Sequence, residues 1–404
     1  MTDVIIESVT TTGKQAKTLL HPMSMNFPEN AVTAILGPSG SGKSTLLNLI
    51  ADYVPMNIVA KVEINIQNES AYVPQDDRLH GFYTCKSYMK HYAKLVGISK
   101  NVDIDQRIDA LLEDLGLADH ANTRVGDIFF QGLSGGQKRR LSIALEALSY
   151  PKVFILDEPT SGLDAESALQ VMSFLREFAR AAPGRRVILT IHQPSSFIWE
   201  LIDNAVLLSK GKLMYSGERA VMETFFESSG FPTPANWNPA DFYVTAVNDE
   251  FKNHCLSVEE WSKLFIAYSE KKDKSLTVKQ RPSLRFSLTD RSIQRSKSIA
   301  VSLELVHRYF LNIWFNPGIL ATRIAMYTML ALVVGALFIN LGDRYDFESI
   351  QSRIAISFYA VAFFVFMSIA VLPFTVMERA IVDKEVINKY YNPAVYQVAQ
   401  ALCS

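Results

Sequence analysis

The feature that most constrains this chain is a nine-residue loop, Gly-Pro-Ser-Gly-Ser-Gly-Lys-Ser-Thr (37–45), set between two apolar runs. Ahead of it lies Val32–Leu36, and behind it Leu46, Leu47, Leu49 and Ile50. A short apolar run bounded by turn residues predicts a central parallel strand buried on both faces. The run after the loop predicts a helix. A strand, a glycine-rich loop and a helix in that order wrap backbone around a phosphate. Gly37, Gly40 and Gly42 let N–H groups approach the anion, and the helix N-terminus adds its positive end. Pro38, Ser39, Ser41 and Thr45 complete the cradle. Lys43 is expected to neutralise charge on the β- and γ-phosphates, and the Ser44 hydroxyl to hold Mg²⁺.

Helical and strand patterns alternate from this loop to about residue 215. Val153–Asp157 and Val187–His192 are two further apolar strands, separated by a helical stretch that starts near Ala165. Such alternation predicts an α/β fold with a mostly parallel sheet. The first strand ends in Asp157 and Glu158, at the strand end where ligands sit in open α/β sheets. Asp157 is expected to bind Mg²⁺, directly or through water, and Glu158 to polarise an attacking water as general base. On their own the two acids also fit a solvated strand-end turn; the phosphate loop favours the ligand role. Gln75 is a candidate ligand of Mg²⁺ and the water. His192 is placed to reach a γ-phosphate.

A second anion site follows in Leu-Ser-Gly-Gly-Gln-Lys-Arg-Arg (133–140). Ser134 is a candidate N-cap, with apolar residues at 141, 144, 145 and 148 on one face of the helix behind it. Ser134, Gly135 and Gly136 at a helix start again suit an anion. One nucleotide does not need two such sites in one chain, so the second is expected to meet the nucleotide of a facing copy.

The bulk composition hides a gradient. The 404 residues carry a net charge of −1, which argues against nucleic-acid binding, where a basic field is usual. Cys85, Cys255 and Cys403 are far apart, so neither a disulfide framework nor a zinc site is expected and the compartment is read as reducing. The N-terminus has no basic head followed by an apolar core. Residues 271–300 are basic and Ser-rich and read as a linker, with Ser283, Ser287 and Ser296 as conceivable kinase targets but a plain solvated role preferred.

Beyond the linker, residues 301–318 place apolar side chains opposite Glu304, His307 and Arg308, the pattern of a helix at a membrane surface. Ile324–Leu341 and Ile354–Met377 are free of charge. A hydrocarbon core of roughly 30 Å needs about 20 apolar helical residues, so both are expected spans, at about 320–341 and 354–377. The alternative for this pair is a helical hairpin in a soluble core. A third run, 390–404, is expected to be an incomplete span.

The ordered series 37–45, Gln75, 133–137, Leu-Asp-Glu-Pro-Thr (156–160), Ser161–Asp164 and His192 resembles the nucleotide-binding domain of ABC transporters. Residues 217–244 and 378–402, with spans placed after the domain, resemble the G subfamily, the White-like and pleiotropic drug resistance half-transporters. The resemblance implies an α/β P-loop nucleotide-binding domain over about 1–270, a mostly parallel sheet with helices and a helical subdomain, followed by an all-α transmembrane region over 301–404. It implies ATP and Mg²⁺, the latter held by Ser44, Gln75 and Asp157, with Glu158, His192 and Gln75 at the chemistry. Ser134, Gly135, Gly136, Gln137 and Asp164 would contact ATP in trans, the loop Ser161–Asp164 linking the two sites. The charged stretch 378–389 would pass ATPase motion to the membrane helices.

The implied protein is a multi-pass membrane pump with its nucleotide-binding domain and N-terminus in the cytosol. It would work as a homo- or heterodimer on a lipid, sterol, pigment precursor or drug. No aromatic residue between 4 and 20 offers itself to stack on adenine, which loosens the expected base selectivity. Because half-transporters of this kind have six spans, the chain is expected to be a fragment. The alternatives are a truncated, regulatory subunit and a soluble ABC ATPase.

Overall fold

A computed structural model describes residues 3–12, 16–55, 57–66, 69–98, 103–127, 131–248, 256–273, 298–315, 317–339, 346–370 and 372–403. The described elements, in chain order, begin with β1 (Val4–Thr11), β2 (Thr18–Leu20), β3 (Met23–Met25), β4 (Ala31–Leu36), α1 (Lys43–Ile50), β5 (Ile58–Ile64), β6 (Ser70–Val73), α2 (Cys85–Val96) and α3 (Ile104–Asp114). There follow α4 (Gly135–Ala147), β7 (Val153–Leu156), α5 (Ala165–Arg180), β8 (Arg186–Thr190), α6 (Ser196–Leu201), β9 (Asn204–Ser209) and β10 (Lys212–Glu218). The rest is helical: α7 (Arg219–Ser228), α8 (Pro239–Ala246), α9 (Val258–Asp273), α10 (Ser298–Phe315), α11 (Pro317–Leu337), α12 (Phe347–Ala370), α13 (Leu372–Ile387) and α14 (Pro393–Cys403). The chain divides into two compact units, one of Met1–Asp77, Ile98–Asn122 and Leu133–Gln294, the other of Arg78–Gly97, Thr123–Gly132 and Arg295–Ser404.

The first unit is built on a six-stranded sheet of order β10-β9-β4-β8-β7-β6. Every pairing in it is parallel except β9 with β10. All six residues of β4 are buried, as expected of a strand flanked by β8 and β9 and covered on both faces. Full burial of each Val, Ile or Leu there contributes about 1.5–3 kcal/mol. Parallel strands need crossovers, and α5 supplies one from β7 to β8. Asp164 caps that helix by accepting from the Ser167 N–H at 2.9 Å. The other early strands do not join this sheet. β1 pairs antiparallel with β2, β3 and β5 in a sheet of its own.

After β10 an aromatic cluster ties α7, α8 and α9 together. Phe225 and Phe226 pack on Trp261, whose indole N–H donates to Ala246 O at 3.1 Å. Phe226 stacks on Tyr243 with ring centroids 4.4 Å apart.

The second unit is helical. Its α10 corrects one expectation. Part of the polar face turns inward: Arg308 is fully buried and donates to Glu385 Oε1 of α13 at 2.6 Å. Glu304 meets His91 Nδ1 of α2 at 2.8 Å. His307 stays exposed, together with the apolar Leu303, Phe310, Trp314 and Phe315.

Among the described residues, no helix is long and apolar enough to cross a membrane. The helices are offset from the apolar runs expected to span. α11 starts ahead of its run and ends at Leu337, leaving Ile324–Leu337 as its charge-free part. α12 spends its first turns on Phe347–Arg353, with Glu348 and Arg353, and stops at Ala370. Residues 372–377 of the second run fall in α13. The third run holds the helix Pro393–Cys403. Residues 274–297, with Ser283, Ser287 and Ser296, lie outside the described residues.

Candidate functional site

β4, β6, β7 and β8 run parallel, so the segments that follow them leave the sheet at one end. Those segments carry the loop 37–45, Gln75, Asp157–Glu158 and His192, the arrangement in which open α/β sheets hold ligands.

The loop after β4 is shaped by backbone that only glycine tolerates. At Gly37, with φ +150°, a Cβ would fall 2.2 Å from Leu208 O. Gly42, at φ +99°, forms the left-handed N-cap of α1. The first turn of α1 holds no acidic residue, so nothing there repels an anion. Lys43 is buried and its ammonium donates to Gly37 O at 2.8 Å and to Pro38 O at 2.9 Å. Desolvation lowers its pKa, while Glu158 and Asp157 pull the other way. Ser41 Oγ is buried without a hydrogen-bond partner.

Four residues from three strand ends meet opposite this loop. Ser44 Oγ lies 3.4 Å from Asp157 Oδ1, and Gln75 Nε2 donates to Glu158 Oε2 at 3.0 Å. Asp157 is buried, and its Oδ1 also accepts from the Thr190 hydroxyl. Thr190 Oγ1 in turn accepts the Glu158 N–H at 2.8 Å. Glu158 sits at φ +50°, a conformation that costs a non-glycine residue about 1–3 kcal/mol unless its surroundings hold it. His192 lines a cleft of about 280 Å³ with Gly37, Pro38 and Ser39, and Val244, Thr245 and Asn248 also line it.

The second anion motif stands apart from these contacts. Ser134 caps α4 in a reciprocal box: its side chain accepts from the Gln137 N–H at 3.3 Å, and Gln137 Oε1 accepts from the Ser134 N–H at 2.9 Å. Gln137 Nε2 is 2.8 Å from His120 Nε2. Its amide is therefore engaged inside its own chain. At Gly135 an added Cβ would meet no heavy atom within 4 Å among the described residues, while at Gly136 it would meet Leu163 Cδ2 at 3.1 Å. Packing among the described residues gives no reason for glycine at 135.

Residues 20–161 match the family described as ABC transporter, and residues 302–404 match the ABC-2 type transporter family. A second ABC-2 type transporter family matches 192–297. ABC transporter G family member 11 of Arabidopsis thaliana is 30% identical over 98% of this chain and 60% of its own length. Member 13 of the same plant is 33% identical over 96% of the chain and 63% of its own length. The mouse broad substrate specificity ATP-binding cassette transporter ABCG2 is 29% identical over 90% of the chain and 60% of its own length.

The chain belongs to the ABC transporters, alongside the G family.

It spans about three fifths of the length of these curated relatives. Two buried side chains of this ABC transporter site were not singled out from sequence. Thr190 sits inside an apolar strand run, where the only clue was one hydroxyl among Val187, Ile188 and Leu189. Arg139 stands in a basic triplet that reads as solvated, yet it is only 2% exposed.

Proposed function

We propose that this chain binds and hydrolyses ATP as part of a G-type half-transporter that moves a hydrophobic compound, such as a lipid or sterol, across a membrane. In this reading the nucleotide-binding domain covers about 1–270 and lies in the cytosol. The linker is 271–300, and membrane-associated helices follow from 301, with spans near 320–341 and 354–377. The observation that carries the reading is the convergence of Ser44, Gln75, Asp157 and Glu158 at the mouth of the loop that holds Lys43.

The donor set suits Mg²⁺ bound with a nucleotide. Among the described residues no cluster of three or more His, Cys, Asp or Glu could hold a metal. Mg²⁺ needs none, because it is usually held through one or two carboxylates, water and phosphate oxygens. Asp157 and the Ser44 hydroxyl would hold it, with Gln75 beside them, and it would neutralise phosphate charge. Lys43 would share that task. The Gln75 amide orients the Glu158 carboxylate, which would then take a proton from water, and His192, after the next strand, lines a cleft with Gly37–Ser39 of the loop.

The second anion motif is read as a contact to a partner's nucleotide, in a homo- or heterodimer. Ser134 caps a helix start, and the open space over Gly135 would admit a phosphate from outside the chain. Closure of two chains on two ATP, and reopening after hydrolysis, would switch the membrane part between two openings. The class of compound is inferred from the resemblance to G-type half-transporters; the mouse relative's name speaks of broad substrate specificity for that protein.

The test is ATP turnover by the purified chain in detergent, over a wide range of protein concentration, beside Glu158→Gln. Positioned proton transfer contributes about 10²–10⁴-fold, so the variant should lose at least about 100-fold. Activity per chain should rise with concentration. Turnover unchanged in Glu158→Gln would refute the general-base role. Flat activity on dilution, in a chain that sedimentation shows to be monomeric, would refute the shared site.

A further inference from the structure

We propose that Arg139 is a positioning residue for the nucleotide chemistry, holding the backbone of Gln75 and of the Asp157–Glu158 pair to the helix whose first turn is Ser134–Gly136. This rests on the ATP-hydrolysing reading above and adds a residue that the reading does not use.

Among the described residues of the first unit, Arg139 is the largest fully buried cation, and its guanidinium reaches two loops at once. Nη1 donates to Pro74 O at 2.6 Å, to Gln75 O at 3.2 Å and to Asp77 Oδ1 at 2.9 Å. Nη2 donates to Asp157 O at 2.5 Å. One partner carboxylate, Asp77, therefore offsets the charge, and the other three acceptors are main-chain carbonyls. Two of these belong to Gln75 and Asp157, residues whose side chains stand at the chemistry.

The bond to Asp157 O has a specific consequence. Asp157 C=O and Glu158 N–H belong to one peptide unit. Arg139 holds its oxygen end and Thr190 Oγ1 holds its N–H end at 2.8 Å. The peptide plane between the metal-side acid and the base is fixed at both polar ends, which is what keeps Glu158 at φ +50°. The same guanidinium fixes Gln75, whose amide bonds to the Glu158 carboxylate at 3.0 Å. Both the backbone and the side chain of Glu158 are thus referred to one cation.

That cation sits one helical turn after Gly135, on the same face of α4. A shift of the first turn of α4, as when Ser134–Gly136 closes on a partner's phosphate, would move Arg139 and with it Asp157 O and Gln75 O. A lysine cannot replace it: a single ammonium point lacks the planar fork that spans the two loops.

The experiment uses the full chain in lipid nanodiscs, with Arg139→Met and Arg139→Lys, reading ATP turnover, nucleotide KM and amide hydrogen exchange. Misplacement by about 1 Å costs up to ~100-fold in rate, so kcat should fall about 10–100-fold in Arg139→Met. It should fall in Arg139→Lys as well, which carries the test if the methionine variant does not fold. KM should stay within about threefold, since the loop 37–45 is untouched. Exchange should quicken at the amides of Asp76, Asp77 and Glu158 and not across α1. Wild-type kcat per folded chain in both variants overturns the proposal, as does a loss confined to KM. If the wild-type chain turns over no ATP, the hydrolysis reading fails and exchange decides. Faster exchange at those three amides then upholds the clamp, and unchanged exchange overturns it.

Discussion

Replacing Thr190 by valine removes one hydroxyl from the heart of the site while keeping its volume. The hydroxyl donates to Asp157 Oδ1 and accepts from the Glu158 N–H, and Thr190 is fully buried. A hydrogen bond to a charged group contributes about 1.5–3 kcal/mol, and a buried N–H left without an acceptor costs about 1–3 kcal/mol. The stranded N–H belongs to a residue at φ +50°, so the backbone can relax toward an ordinary conformation and turn the base away. If about 1.4–2.8 kcal/mol of the total is felt at the transition state, turnover falls about 10–100-fold. Thr190→Ser keeps the hydroxyl and should stay within about threefold of wild type. The assay is steady-state ATP hydrolysis by the full chain, with KM for ATP followed in parallel. Equal kcat in the valine variant and wild type would refute the pinned-peptide argument. An equal loss in both variants would refute it too, since any change at this position, and not loss of the hydroxyl in particular, would then be enough.

Further outcomes concern the second unit. Arg308→Met should destabilise the chain by about 3–5 kcal/mol, because it leaves Glu385 buried without its cation. Arg308→Met with Glu385→Leu should recover much of that loss, which thermal unfolding in detergent will read; a double variant as unstable as the single one would show that the charges themselves are not the issue. Acidification from about pH 7 to 5 should lower stability, for burial depresses the pKa of both His80 and His91. The unfolded chain then takes up protons near pH 6.5 that the folded chain refuses, so stability is full above that value and declines below it. His80 and His91 face Arg308, and His91 also faces Glu304 and Glu385. Glu304, held below the usual carboxylate range by the His91 hydrogen bond, adds a loss of the same sign only at still lower pH. Denaturation curves of His91→Gln should be flatter over this range; an unaltered slope would count against a neutral buried ring.

The phosphate loop was legible because everything it needs is local: glycine at the strained positions, an apolar strand before it and a helix after it. Asp157, Gln75 and His192 were legible for a related reason, each being the first polar residue past a buried parallel strand, and Glu158 follows Asp157 directly. Ser134 announced itself as a cap. The rest depends on partners distant in sequence. β1 and β5 pair across some fifty residues, and no local pattern sets their strands apart from those of the larger sheet. Arg139 reads as surface charge until Pro74, Gln75, Asp77 and Asp157 converge on it. Glu304 and Arg308 of α10 read as the polar side of a surface helix until His91 and Glu385 arrive to take them inward. Helix bounds near the apolar runs were also hidden, since hydropathy marks where charge stops and not where a helix does.

That reversal on α10 has a physical consequence for handling the molecule. The second unit keeps Arg308 and Glu385 within and turns Leu303, Phe310, Trp314, Leu332, Phe358 and Val361 outward, each at least 60% exposed. Water is a poor solvent for such a surface, and its cohesion would drive copies together through it. Detergent or lipid would wet it instead, so the amphiphile chosen for purification acts as the unit's missing outer layer and sets whether chains meet singly, in pairs or as aggregate.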